Sequence, residues 1–226
     1  PNRQWTQQRA IENDLFLFQH LIPDDVDLDY AVSQSHENQF PENEVSKTQG
    51  MLLSLLIRIS QSKRVLELGT LAGYSAIWMA KAVPDDGKVV SLECDREKFE
   101  LASRNIAHAG LQNKVELLCG PAAQSLQNLI DEGTEPFDFI FIDADKPNNP
   151  LYLQLCLQLS HPGTVIFGDN VIRDGKLCEK TSEDPKVKGV RQYIEDLGMS
   201  DRLDSTALQT VGIKGYDGFT LTLVKS

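Results

Sequence analysis

The chain of 226 residues carries 33 acidic against 22 basic side chains, a net charge of −11, and 41% hydrophobic residues. That length fits one α/β domain with a substantial core. An acidic balance without a basic patch argues against a nucleic-acid or membrane-surface binder, and no run of about 18 apolar residues exists to span a bilayer.

Residues 1–10 are polar and lack an apolar signal core, and none of the four cysteines forms a C-x-x-C pair. The expectation is a reduced, cytoplasmic protein with Cys94, Cys119 and Cys156 as buried thiols. His20, His36, His108 and His161 are scattered, which argues against zinc.

In chain order, Trp5–Leu21 has helical spacing of Ile11, Leu15, Phe18 and Leu21, and Pro23 ends it. Asp24–Pro41 is acidic and polar and reads as loop with a short helix. Asn43–Ile59 is an amphipathic helix with Leu52, Leu53, Leu56 and Ile57 inward. Strand-like runs then follow at Arg64–Leu68, Lys88–Leu92, Val115–Leu118, Phe137–Ile142 and Thr164–Phe167. Between them lie helical stretches near Tyr74–Ala82, Arg96–Ala109, Ala122–Asp131 and Leu151–Leu159. Alternation of this kind predicts an α/β fold with a doubly wound, mostly parallel sheet. Asp204–Ile213 and Gly218–Val224 predict a terminal antiparallel hairpin turning at Gly215-Tyr216-Asp217-Gly218. The whole, 1–226, reads as a single domain: an N-terminal helical lid or dimer segment, 1–42, and a core, 43–226.

Ligands of open α/β sheets sit beyond the carboxyl ends of the strands. There Phe139-Ile140-Phe141-Ile142 runs into Asp143-Ala144-Asp145-Lys146, and the next strand runs into Gly168-Asp169-Asn170. Asp143, Asp169 and Asn170 are therefore expected together. Two carboxylates and an amide carbonyl suit Mg2+, Ca2+ or Mn2+, with Lys146 beside them. An N-cap role for Asp143 and a surface pair between Lys146 and Asp145 are the plainer alternatives.

The turn after the first strand, Glu67-Leu68-Gly69-Thr70-Leu71-Ala72-Gly73-Tyr74-Ser75, has Leu71 where a dinucleotide fold wants its second glycine. Glu67, an acid inside the strand, suits a cationic group better than a pyrophosphate. Glu93, at the end of the second strand, is placed for ribose hydroxyls, while Asp95 is read as a helix cap. Gly120-Pro121-Ala122 offers backbone to an adenine. Ammonium, ribose and adenine together describe S-adenosylmethionine.

With these residues named, the chain resembles the class I cation-dependent O-methyltransferases, the group of caffeoyl-CoA and catechol O-methyltransferases, and looks closest to its bacterial small-molecule branch. The motifs are Glu67–Ser75, Phe137–Lys146, Gly168-Asp169-Asn170 and Val211–Phe219, within residues 43–226. The resemblance implies a Rossmann-like methyltransferase fold and a homodimer. It implies metal ligands at Asp143, Asp169 and Asn170, and cofactor contacts at Val45, Glu67, Gly69, Thr70, Ser75, Glu93, Ala122, Asp143 and Asp145. It places the base at Lys146. Pro147-Asn148-Asn149-Pro150 departs from the Asn-Tyr pair of plant members, so their substrate preferences are not carried over. The expected activity is methyl transfer from S-adenosylmethionine to a small phenolic acceptor, a vicinal diphenol that can chelate the cation. A nicotinamide-dependent dehydrogenase, a nucleic-acid methyltransferase and a non-catalytic binding module are the competing readings. Trp5, Phe16 and Phe18 read as core, with a dimer interface as the alternative. Ile172–Lys188 is a substrate loop or a solvated connection.

Overall fold

The computed structural model describes residues 6–226. Trp5 lies outside them, and helix α1 runs Gln7–Leu21 behind an N-cap at Thr6. The acidic stretch expected as loop with a short helix is mostly helix, the 12-residue α2, Val26–Glu37. Its acids build the helix start: Asp25 accepts from the amides of Asp27 and Leu28, and Lys81 bridges Asp25 and Asp27 at 2.7 Å. Carboxylates in a first turn satisfy orphan amides and oppose the helix dipole, so acidity here encodes a helix. Helix α3, Lys47–Ile59, buries Gly50, Leu53, Ser54 and Ile57.

The βα units follow as β1 (Arg64–Leu68), α4 (Tyr74–Ala82), β2 (Lys88–Glu93), α5 (Arg96–His108), β3 (Val115–Cys119), α6 (Ala122–Asp131), β4 (Phe137–Ile142), α7 (Asn149–Gln158) and β5 (Ser160–Asp169). Then come α8 (Pro185–Met199), β6 (Leu203–Gly212) and β7 (Gly215–Val224). The sheet has seven strands in the order β3-β2-β1-β4-β5-β7-β6. The first five are parallel, and β7 runs antiparallel to both its neighbours. This is a Rossmann-like doubly wound sheet with a C-terminal antiparallel hairpin and N-terminal helices.

Side chains alternate across a strand, and here both faces are covered. Val65, Val89, Phe139, Phe141 and Phe167 pack with α2, α3, α4 and α5. Their neighbours Leu66, Val90, Ile140, Ile142 and Ile166 pack with α6, α7 and α8. Two-sided burial explains why β4 reads as an unbroken apolar run rather than an alternating one.

Several expectations need correction. The hairpin turns at Gly212–Gly215, because Tyr216 and Asp217 already pair with Val211 and Thr210 inside the ladder. Phe16 is not core: it is 60% exposed, with Leu15, Leu17 and Leu21 also exposed, because α1 buries only Ala10. Phe18 is half-buried. Of the thiols only Cys156 is buried; Cys94 and Cys119 are exposed where their strands end, and all four cysteines are free. The segment 172–188 is not all loop, since its last residues form the first turn of α8 behind an Asp184 cap.

Candidate active site

Strand register aligns the candidate residues on one edge. Leu68 pairs with Leu92 and Ile142, and Ile142 pairs with Gly168. The residues just beyond, Gly69, Glu93, Asp143 and Asp169, therefore stand side by side at the carboxyl ends. Pleat parity adds a second constraint. Glu67, Ser91 and Asp169 each follow by two a residue that packs toward α2–α5, so they share that face. The strand order reverses between β1 and β4, the position where open sheets leave a crevice.

Glu67 is wholly buried, and its hydrogen-bond donors are hydroxyl groups. Ser91 Oγ donates to its Oε2 at 2.5 Å, and the Ser75 hydroxyl donates to Oε1. Burial pushes the carboxyl up to about 8; the two hydroxyls counter it only in part. Thr70 is buried too, its hydroxyl 2.5 Å from that of Ser91. The buried carboxyl thus has two neutral hydroxyls as its hydrogen-bond donors.

The turn beyond β1 is tight. Gly69 has φ +98°, and a Cβ there would overlap the Asp143 carbonyl, so only glycine lets the turn cross the end of β4. Leu71, where a second glycine would belong, takes φ +51° with its side chain retained. Its amide donates to Glu93 Oε2 at 2.9 Å, and Glu93 Oε1 accepts from Asp95 N at 2.9 Å. Glu93 thus steadies the strained turn as well as facing the edge. Asp95 caps α5 through Glu97 N and Lys98 N, as expected. Val45 is buried ahead of α3, and Ala122 opens α6 half-buried.

Lys146 is not a surface lysine. It is 6% exposed, and its Nζ lies 2.9 Å from Asp143 Oδ1, leaving Asp145 to Tyr152 and Asn148. The 3-10 turn Lys146–Asn148 that carries it lies under α8, where Gly189 leaves no room for a side chain against the Lys146 carbonyl. Asp143 likewise caps no helix; its amide donates to Leu68 O. Asp169 is buried, and its carboxyl is raised above the ordinary carboxylate range by burial and then by the charge of Asp143; Lys146 opposes this. Asn170 follows with φ +56°, its amide donating to Asp169 Oδ1 at 2.8 Å. Two carboxylates and an amide are hard oxygen donors. Among the described residues no cluster of three or more His, Cys, Asp or Glu is gathered for a metal.

Two residues absent from the expected site belong to it. Ser91 was unmarked inside an apolar strand. Gln49 of α3 donates from Nε2 to Asp169 Oδ2 at 2.6 Å across 120 positions of sequence. A cleft of about 190 Å3 opens beside it, lined by Gln49, Leu52, Phe219 and Lys214 among others.

Comparison with known proteins accords with this geometry. A family model described as O-methyltransferase matches residues 24–225. A catechol O-methyltransferase of Niastella koreensis is 48% identical over 195 residues, 86% of this chain and 88% of that protein. A catechol O-methyltransferase of Mycobacterium tuberculosis is 42% identical over 212 residues, 94% of each chain. The crystal structure of an O-methyltransferase from Bacillus cereus in complex with SAH has a TM-score of 0.96 at 45% identity, covering 97% of this chain and 100% of that one.

Proposed function

The chain belongs to the O-methyltransferase family, and from that premise we propose that it moves the methyl group of S-adenosylmethionine to one hydroxyl of a small vicinal diphenol, with a divalent cation required. The observation that carries the reading is the buried Asp169 beside Asp143, with the buried Lys146 Nζ 2.9 Å from Asp143 Oδ1.

S-adenosylmethionine, when bound, supplies a sulfonium methyl. Glu67 takes its ammonium, a fit supported by a wholly buried acid whose hydrogen-bond donors are neutral hydroxyls. Glu93 takes the ribose hydroxyls, and Gly120-Pro121-Ala122 lies along the adenine. Val45, Gly69, Ser75, Asp143 and Asp145 border the same ligand. Thr70 contributes backbone, its hydroxyl being committed to Ser91.

Asp143, Asp169 and Asn170 hold the cation, Mg2+ first, with Ca2+ or Mn2+ as alternatives. The fit is supported by the donor chemistry and by Asp169 itself, whose raised carboxyl marks a place where added positive charge is favourable. The cation supplies Lewis acidity that favours phenolate over a phenol of pKa about 10. As the free amine Lys146 Nζ takes the proton of the acceptor hydroxyl; as the ammonium it holds the oxygen anion after that proton has passed to water. Fixed geometry of acceptor and donor contributes up to about 7–11 kcal/mol in ideal systems.

Residues 1–226 act as a single methyltransferase domain, with 1–42 as a lid or dimer segment. The exposed face of α1, with Leu15, Phe16 and Leu21, is the surface on which a homodimer would form. No helix among the described residues is long and apolar enough to cross a membrane. The proposed location is the cytoplasm, where the four free cysteines would stay reduced.

The test is methyl transfer from labelled S-adenosylmethionine to matched vicinal diphenols and monophenols. Turnover of the diphenols well above the monophenols is expected. Equal turnover of both would remove chelation from the account.

A further inference from the structure

Ser46-Lys47-Thr48-Gln49 has the form of a capping box, in which the N-cap hydroxyl takes the amide three residues on and the Gln side chain returns to the N-cap amide. Half of that box is built. Ser46 Oγ accepts from Gln49 N at 3.2 Å. The Gln49 side chain turns away from the cap and donates to Asp169 Oδ2 at 2.6 Å. Since Asp169 Oδ1 is occupied by the Asn170 amide at 2.8 Å, each oxygen of this carboxylate has one protein donor and a free lone pair. The helix that aims Gln49 is itself fixed, because Gly50 packs against the Trp78 ring with no space for a side chain. A locally favoured contact given up for one made across the molecule signals a residue serving a site.

We propose that Gln49 is the positioning residue of Asp169: from α3 it sets the carboxylate's orientation toward the cation, at the wall of the cleft between α3 and the β6–β7 hairpin. This rests on the cation reading above. Glutamine suits the task because it donates without adding charge; a lysine would compete with the cation, and a glutamate would add a third acid beside Asp143 and Asp169.

The experiment compares wild type, Gln49→Met and Asp169→Asn by Mn2+ titration, with SAH affinity and Tm measured on the same samples. Methionine keeps length and helix preference but has no donor. Outer-shell partners of metal ligands typically govern about 10–100-fold in affinity, so Gln49→Met should bind Mn2+ at least about 10-fold more weakly. SAH affinity and Tm should hold, and saturating Mn2+ should restore kcat. Mn2+ affinity within about twofold of wild type overturns the inference while leaving the cation site intact. A parallel fall in SAH affinity or Tm also overturns it, by making Gln49 merely structural. Undiminished Mn2+ binding by Asp169→Asn, or none by wild type, overturns the cation reading and this inference together.

Discussion

Two edges of the sheet use opposite materials. Along the carboxyl ends of β1, β2, β4 and β5, polar groups are buried: Glu67, Ser91, Glu93, Lys146 and Asp169 are each at most 6% exposed. Along α1 and the β6–β7 hairpin, apolar groups are exposed, including Phe16, Leu21, Leu208 and Val211. The ties there are polar: Gln7 to Gly212 O at 2.7 Å, Asp14 to Ile213 N at 2.7 Å and Lys214 to Glu44 at 2.7 Å. Burying acids costs free energy unless a ligand or partner repays it, and exposing leucines wastes burial unless another surface covers them. The first edge thus gathers buried charge, and the second presents exposed apolar surface.

The sharpest way to separate the edges is Lys146→Ala. Removal of a proton-handling group typically lowers kcat by about 10²–10⁴-fold, whereas SAH affinity should change little. A kcat within threefold of wild type would detach Lys146 from the chemistry. Gly69→Ala acts on the same edge through the backbone. The positive φ alone costs about 1–3 kcal/mol, and the overlap with the Asp143 carbonyl adds to it. Chemical denaturation should show that loss, and undiminished stability would mean the turn relaxes freely.

Glu67→Gln tests the buried acid by pH. The carboxyl rises from 4.5 unfolded to about 8 folded. Wild type therefore has its full stability from this group below about pH 4.5 and loses it as pH rises through 8. The variant should gain Tm relative to wild type between pH 5 and 8, with weaker S-adenosylmethionine binding. A pH-independent Tm difference would contradict the buried-acid account. The smallest effect belongs to the other edge. Lys214→Ala removes a partly exposed pair worth about 0.2–1 kcal/mol, and thermal unfolding should fall by no more than that.

How much of this was readable in sequence follows from where each signal resides. The runs 64–68 and 137–142 and the helices 74–82 and 122–131 coincide with β1, β4, α4 and α6. Two-sided burial makes such strands uniformly apolar, and the glycine or polar residue that ends each one is local. That Asp143 and Asp169 lie at neighbouring strand ends was legible because strand ends converge in any sheet of this kind. Helix α2 was expected only as a short helix within a loop, because capping acids resemble loop composition. The hairpin turn was misplaced because Gly212-Ile213-Lys214-Gly215 and Gly215-Tyr216-Asp217-Gly218 have the same spacing, and only the register chooses between them. Gln49 and Ser91 were illegible because their meaning depends on partners 120 and 24 positions away. The exposed face of α1 was read as core because helical periodicity reports an apolar stripe, not what covers it.

The central claim is that the buried-acid edge works through a divalent cation. The most direct measurement is the initial rate of methyl transfer to a vicinal diphenol after EDTA treatment and again after Mg2+ is restored. The account predicts that EDTA abolishes turnover and Mg2+ returns it. Turnover that persists in EDTA would contradict it, and would leave Asp143, Asp169 and Asn170 as structural groups at the end of the sheet.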